Sequence, residues 1–132
     1  MDWREATGTA QFLISVSDGS NANRAMIYTD SGTIYFQLNA GGPIIITITQ
    51  SVSGYSGIQK FAYAYKQDDA VVYRNATQVG TDTDANLSSL ATLDEVAIGT
   101  RHTLEQEANM WIRAVALYKT RLTNDQLADL TS

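Results

Sequence analysis

Gly57–Asp82, GIQKFAYAYKQDDAVVYRNATQVGTD, constrains the chain most, because it reads as three consecutive antiparallel strands. Phe61, Tyr63 and Tyr65 alternate with Lys60, Ala62, Ala64 and Lys66. Successive strand residues point to opposite faces, so one face is aromatic and the other is small or charged. Gln67-Asp68-Asp69 breaks the run, Val71 and Tyr73 resume it, and Thr77, Val79 and Thr81 continue it after Asn75-Ala76. A two-residue type I′ turn needs positive φ at both central positions, which Ala disfavours. The sequence therefore predicts a longer turn, or one of another type, at Asn75-Ala76. A meander with one apolar face needs a second layer to cover it, and the rest of the chain must supply that layer.

It does so with short strands. Gly8–Asp18 carries Phe12, Ile14 and Val16, read as one face, and Asp18-Gly19-Ser20-Asn21 is a turn signal. Arg24–Thr29 and Thr33–Asn39 follow, the latter with Ile34, Phe36 and Leu38 alternating against Tyr35, Gln37 and Asn39. Ile44–Thr49 is β-dense and nearly uncharged, a hazard on an unprotected edge. Thr92–Gly99 and Met110–Tyr118 are the last predicted strands, with a bulge expected near Arg113-Ala114, where the apolar spacing slips. Thr123 and Gln126 match a capping box, which starts a short helix over residues 123–131 with Leu127 and Leu130 as a lid. Residues 1–7 read as a lead-in. The whole chain of 132 residues reads as a single two-sheet antiparallel sandwich.

Charge and composition exclude several classes of function. The formal net charge is −5 with nine scattered Lys and Arg, which argues against nucleic acid or an anionic membrane as partner. No apolar run approaches the roughly 20 residues a membrane span requires. The chain has no Cys, which rules out disulfides and thiolate-bound metals.

The run KFAYAYKQDDAVVYRNATQVGTDT resembles a segment of the concanavalin A-like (laminin G-like) jelly-roll domains found in bacteriophage tail and tail-fibre proteins. The resemblance continues in Ser17–Arg24, in Val96–Arg101, in Ile112–Tyr118 and in Arg121–Leu127, in order along nearly the whole chain. It implies an all-β jelly roll closed by the C-terminal helix. It further implies a non-catalytic carbohydrate-binding or host-attachment module of a phage or prophage tail protein, located on the virion or outside the cell. Its partner would be a surface glycan or polysaccharide. The alternative is a structural or oligomerisation module, for instance of a trimeric fibre or against neighbouring tail domains. Resembling domains usually carry a further strand before the point where this chain starts, which leaves a sheet edge for a neighbour.

Three kinds of site come into question. Retaining and inverting glycosidases need two carboxylates about 5–5.5 Å or 6.5–9.5 Å apart. Asp94 and Glu95 are adjacent, so a strand would point them to opposite sides, and Glu105 and Glu107 lie in a predicted loop with no third partner. No catalytic residue is assigned, and a glycan-cleaving enzyme is the less favoured reading. Laminin-type domains often hold Ca²⁺ at a sandwich edge, and the i, i+2, i+4 spacing of Asp82, Asp84 and Asn86 would suit that hard cation. Turn formation explains the same residues. For a sugar, an aromatic platform beside planar hydrogen-bonding groups is needed. Tyr35 with Gln37 and Asn39 on one strand face offers that, and so does Trp111 with Arg101 and His102 in the preceding crossover. Phe61, Tyr63 and Tyr65 read as core.

Overall fold

The structure, a computed structural model, describes residues 9–132, so the lead-in expected over residues 1–7 lies outside the described residues. The strands are β1 (Gln11–Ser17), β2 (Arg24–Asp30), β3 (Thr33–Asn39), β4 (Ile44–Ser51), β5 (Phe61–Lys66), β6 (Asp69–Arg74), β7 (Thr77–Asp82) and β8 (Glu95–Ile98), followed by helix α1 (Asn124–Leu130). They form a five-stranded antiparallel sheet in the order β4-β3-β2-β1-β8 and a three-stranded one in the order β5-β6-β7. The all-β sandwich with a short C-terminal helix is thus the observed fold.

Alternation decides what fills the space between the sheets. Ile34, Phe36 and Leu38 of β3 and Ile46 and Ile48 of β4 meet Ala70 and Val72 of β6, with Phe61, Tyr63 and Tyr65 of β5 packed against them. The Phe36 ring, fully buried, lies 5.6 Å from the ring of Phe61 and 5.9 Å from that of Tyr63. Such burial stabilises by about 1.5–3 kcal/mol per large apolar side chain. The opposite face of the small sheet presents Ala64, Val71 and Tyr73 to Leu127 of the helix.

The helix begins as the capping box requires, with Thr123 Oγ1 accepting from the Gln126 N–H and the Gln126 side chain accepting from the Thr123 N–H. Leu127 is 3% exposed, but Leu130, expected beside it in the lid, is 48% exposed. At about 100° per residue, position i+4 lies nearer the azimuth of i than i+3 does. Thr131 takes the inward place. It is buried, its hydroxyl bonds to the Leu127 carbonyl, and its oxygen accepts from the Ala76 N–H at 3.0 Å.

Three expectations need correction. First, β1 carries a register shift between Phe12 and Ile14. Leu13 occupies the core, whereas Phe12 turns to the outer face, so Phe12 does not share a face with Ile14 and Val16. Second, Asn75 and Ala76 form a two-residue connection with φ of 47° and 66°, the positive pair of a type I′ turn, despite the alanine. Side-chain bonds hold it: the Lys60 N–H donates to Asn75 Oδ1, and Asn75 Nδ2 donates to Gln59 Oε1. Third, residues 112–118 form no ladder. Met110 and Ile112 pack against the core, but Val115, Leu117 and Tyr118 stay exposed. Ile112 is out of phase with Val115 and Leu117, so a single unbroken ladder cannot turn all three to one face.

Candidate functional site

The outer face of the five-stranded sheet is built in cross-strand rows, since residues paired across a sheet share a face. One row runs Glu95–Ser17–Arg24–Asn39, the next Ala97–Ser15–Met26–Gln37–Thr47, and the third Phe12–Tyr28–Tyr35–Thr49. The third row is an aromatic ladder. Phe12 and Tyr28 stack at 4.9 Å between centroids, and Tyr28 and Tyr35 at 4.8 Å with 5° between planes. The Tyr28 hydroxyl donates to Gln37 Oε1, and Gln37 Nε2 donates to Thr47 Oγ1. Burial, then the neighbouring Tyr35, raises the Tyr28 pKa, so its phenol stays a donor. Phe12 is buried at one end of the ladder, and Tyr28 and Tyr35 are half-buried.

The crossover after β8 folds back against the Phe12 end. The Phe12 N–H donates to the Gln106 carbonyl at 2.9 Å, and the Arg101 guanidinium lies 6.0 Å from the Phe12 ring centroid. Leu104 and Gln106 both hold positive φ, a conformation that non-glycine residues adopt only when their surroundings impose it. Here the Arg101 N–H to Glu105 carbonyl bond and the Leu104 N–H to Arg101 carbonyl bond impose it, and they set where Arg101 and His102 stand.

Two guanidinium groups converge beside that loop. Arg24 Nη1 and Arg101 Nη2 both donate to Asn21 Oδ1, at 2.8 and 2.7 Å. Asn21 is held in place by its own loop, because Asp18 accepts from the Ser20 N–H, the Ser20 hydroxyl and Asn23 Nδ2. Those bonds, the Ser20 hydroxyl first, hold the Asp18 carboxyl below its ordinary pKa. Among the described residues the salt bridges are Lys66–Asp69 and Arg121–Asp69, and neither Arg24 nor Arg101 has one. Among the described residues the Nε of each, like Nδ1 of His102, is buried without a hydrogen-bond partner. Burial, then the Arg101 charge, lowers the pKa of Arg24. Burial, then Arg24 and Arg101, lowers that of His102, against an opposing pull from Glu95 and Asp18.

The sequence-predicted residues thus divide. Tyr35, Gln37 and Asn39 do share the outer face of β3, and Asn39 stands directly opposite Arg24. Arg101 and His102 join the same face from the crossover. Trp111 is 64% exposed. Sequence reasoning missed Arg24, Asn21, Phe12 and Tyr28. Arg24 and Tyr28 could have been found by carrying the outward phase of β3 across to β2. Phe12 could not, because the bulge reverses its phase.

Elsewhere the chemistry is thinner. Asp94 lines the space between the sheets and Glu95 faces the outer side near His102, so the two carboxylates take opposite sides. Glu105 and Glu107 are exposed on the crossover. Asp82 Oδ1 accepts from the Asp84 N–H and Asn86 Oδ1 from the Ser88 N–H, each closing a turn. The Asp84 carboxyl is held above its ordinary pKa by a hydrogen bond with Asp82 and by its charge. Among the described residues no group of three or more His, Cys, Asp or Glu is placed to hold a metal ion. A cleft of about 1140 Å³ opens between the sheets. Its walls are mostly aliphatic and aromatic side chains of β1, β2, β5 and β8 with residues 112–118, and Gln59, Asp94, Arg113 and Arg121 also line it.

A family model for the concanavalin A-like lectin/glucanases superfamily matches residues 1–128. No curated protein matches the chain. Among solved structures, the CBM40 of Ruminococcus gnavus IT-sialidase is similar at 18% identity over 96% of this chain and 77% of that one, with a TM-score of 0.69. The same module bound to alpha2,3 sialyllactose superposes equally well, again at 18% identity, 96% and 77% coverage and a TM-score of 0.69. A leech intramolecular trans-sialidase complexed with 2,7-anhydro-Neu5Ac matches at 21% identity over 96% of this chain and 21% of that one, with a TM-score of 0.67. At these identities the likeness speaks to the fold.

Proposed function

Since this chain belongs to the concanavalin A-like lectin/glucanase superfamily, we propose that it is a non-catalytic carbohydrate-binding module. The observation that carries this reading is the outer face of the five-stranded sheet. There the Phe12–Tyr28–Tyr35 ladder runs beside Gln37, Asn39 and Thr47. Sugar rings present apolar C–H faces and rows of hydroxyls; the half-buried Tyr28 and Tyr35 rings answer the first and the exposed Thr47 and Thr49 hydroxyls the second. Gln37 and Asn39 are buried and hold the face together through their own hydrogen bonds. Similar folds that bind sialyllactose support the same reading. The sequence resemblance to phage tail domains supports a finer one, in which the module attaches a virion to a host surface glycan and works outside the cell.

A second reading has its own observation. The three-stranded sheet leaves the inner-face side chains of β8 uncovered, so Val96 and Ile98 are exposed beside Val115 and Leu117. Such a surface suits a structural module that packs against a copy or a neighbouring tail domain.

A glycan array separates the two. The binding reading predicts specific hits that weaken at least tenfold in Tyr35→Ala, with the circular dichroism spectrum unchanged. A blank from folded, oligomeric protein would favour the assembly reading.

A further inference from the structure

We propose that Arg24 and Arg101 form an anion subsite on this face, and that the glycan it takes is acidic, bearing a carboxylate or a sulfate. The proposal rests on the carbohydrate-binding reading and names its substrate class. Two observations carry it. The first is convergence: two guanidinium groups meet on one neutral acceptor, Asn21 Oδ1, at 2.8 and 2.7 Å. Like charges so close repel, and no carboxylate among the described residues forms a salt bridge with either of them. The second is donor capacity. Each guanidinium has five N–H groups in a fixed fork that matches a planar oxyanion. Of these ten, three make hydrogen bonds among the described residues, the third being Arg101 Nη1 to Gln106 Oε1 at 3.4 Å. Both Nε atoms are buried, so the donors a ligand can reach are those on the terminal nitrogens, whose bonds to Asn21 lie at the exposed surface.

The nearest acids do not fill the gap. Glu95 stands two strands from Arg24 in the same row, about 9–10 Å between backbones at the usual strand spacing, its carboxylate lies against Gly19, and among the described residues it forms no salt bridge with either arginine. Asp18 is occupied with Ser20 and Asn23. The overall charge of −5 makes the site more telling, since non-specific attraction of polyanions is not expected of this chain. The aromatic ladder begins beside Arg101, so an acidic sugar anchored there can extend along Tyr28 and Tyr35.

The test is an array of matched pairs. Uronate-containing and sulfated oligosaccharides are printed beside their carboxyl-reduced or desulfated counterparts, and wild type is compared with Arg24→Gln, Arg101→Gln and the distant control Lys119→Gln. Thermal melts in sodium sulfate run in parallel. The inference predicts at least tenfold preference for the acidic members, lost in both arginine variants and kept in Lys119→Gln. Which acidic members bind distinguishes carboxylate from sulfate. Equal binding of acidic and neutral members, or preference that survives both arginine substitutions, overturns the anion subsite and leaves the carbohydrate reading standing. A blank array overturns the glycan proposal altogether. In that case, sulfate stabilisation of wild type in excess of that of Arg101→Gln would retain an anion site without a sugar. Folding of each variant is checked by its melt, and Arg24→Lys, which keeps charge but not the fork, should bind between wild type and Arg24→Gln.

Discussion

Ala76→Gly should stabilise this protein, and Asn75→Gly, one residue earlier, should destabilise it. Ala76 is exposed and holds φ of 66°, where its Cβ crowds the backbone. That conformation costs an L-residue other than Gly about 1–2 kcal/mol. Glycine removes the cost and adds unfolded-chain entropy worth about 0.4–1 kcal/mol. The N–H bond to Thr131 Oγ1 survives the change. The net expectation is a gain of about 0.5–1 kcal/mol. For a chain of this size, that is a rise in Tm of about 2–4 °C. Asn75 also has positive φ, but Asn tolerates it, and its side chain bonds the Lys60 N–H at 2.9 Å and Gln59 at 3.1 Å. Losing those bonds costs about 0.5–1.5 kcal/mol each. Urea titration with the m-value unchanged is the assay, because a shifted midpoint at constant slope is a change in stability alone. If Ala76→Gly lowers the midpoint, the positive-φ turn and the docking of the helix end on it are both wrong.

Gly80 makes the reverse case: a Cβ there would run into Ile48 Cγ2 across the sandwich, so Gly80→Ala should cost about 1–3 kcal/mol, and Ile48→Ala in the same chain should offset part of it in a double-mutant cycle. Leu127→Ala, beneath the helix, should cost about 2–5 kcal/mol in the same titration, whereas Leu130→Ala should be nearly silent. His102 has a folded-state pKa below 6.5, so the folded protein binds that proton less readily than the unfolded chain. Stability should therefore be full above pH 6.5 and fall as pH drops below it, and His102→Gln should flatten that part of the profile. Turn closure by Asp82 and Asn86 predicts the same melting temperature in EDTA and in millimolar Ca²⁺. A Ca²⁺-dependent rise, lost in Asp84→Asn, would place a cation on that loop.

How much was legible in the sequence depended on whether a local rule met a tertiary one. The meander from β5 to β7 was readable because strict alternation of Phe61, Tyr63 and Tyr65 against Ala62 and Ala64 leaves one way to bury the rings. The capping box was readable because Thr123 and Gln126 satisfy each other's backbone without help. The Asn75–Ala76 turn was misread because contacts from Gln59, Lys60 and Thr131, far away in sequence, outweigh the local preference of alanine. At the site, Tyr35, Gln37 and Asn39 follow from the phase of a single strand. The pairing of Arg24 with Arg101 does not, since it runs through Asn21, which lies 80 positions from Arg101 in sequence.

The most direct test of the central claim locates the ligand. Isotope-labelled protein is titrated with the strongest-binding array glycan while amide and side-chain shifts are followed. The carbohydrate-binding face predicts perturbations at Arg24, Tyr28, Tyr35, Gln37 and Arg101, with the amides of 112–118 and 82–86 unmoved. Perturbations confined to the cleft between the sheets or to the Asp82 loop, or none at saturating glycan, would contradict it.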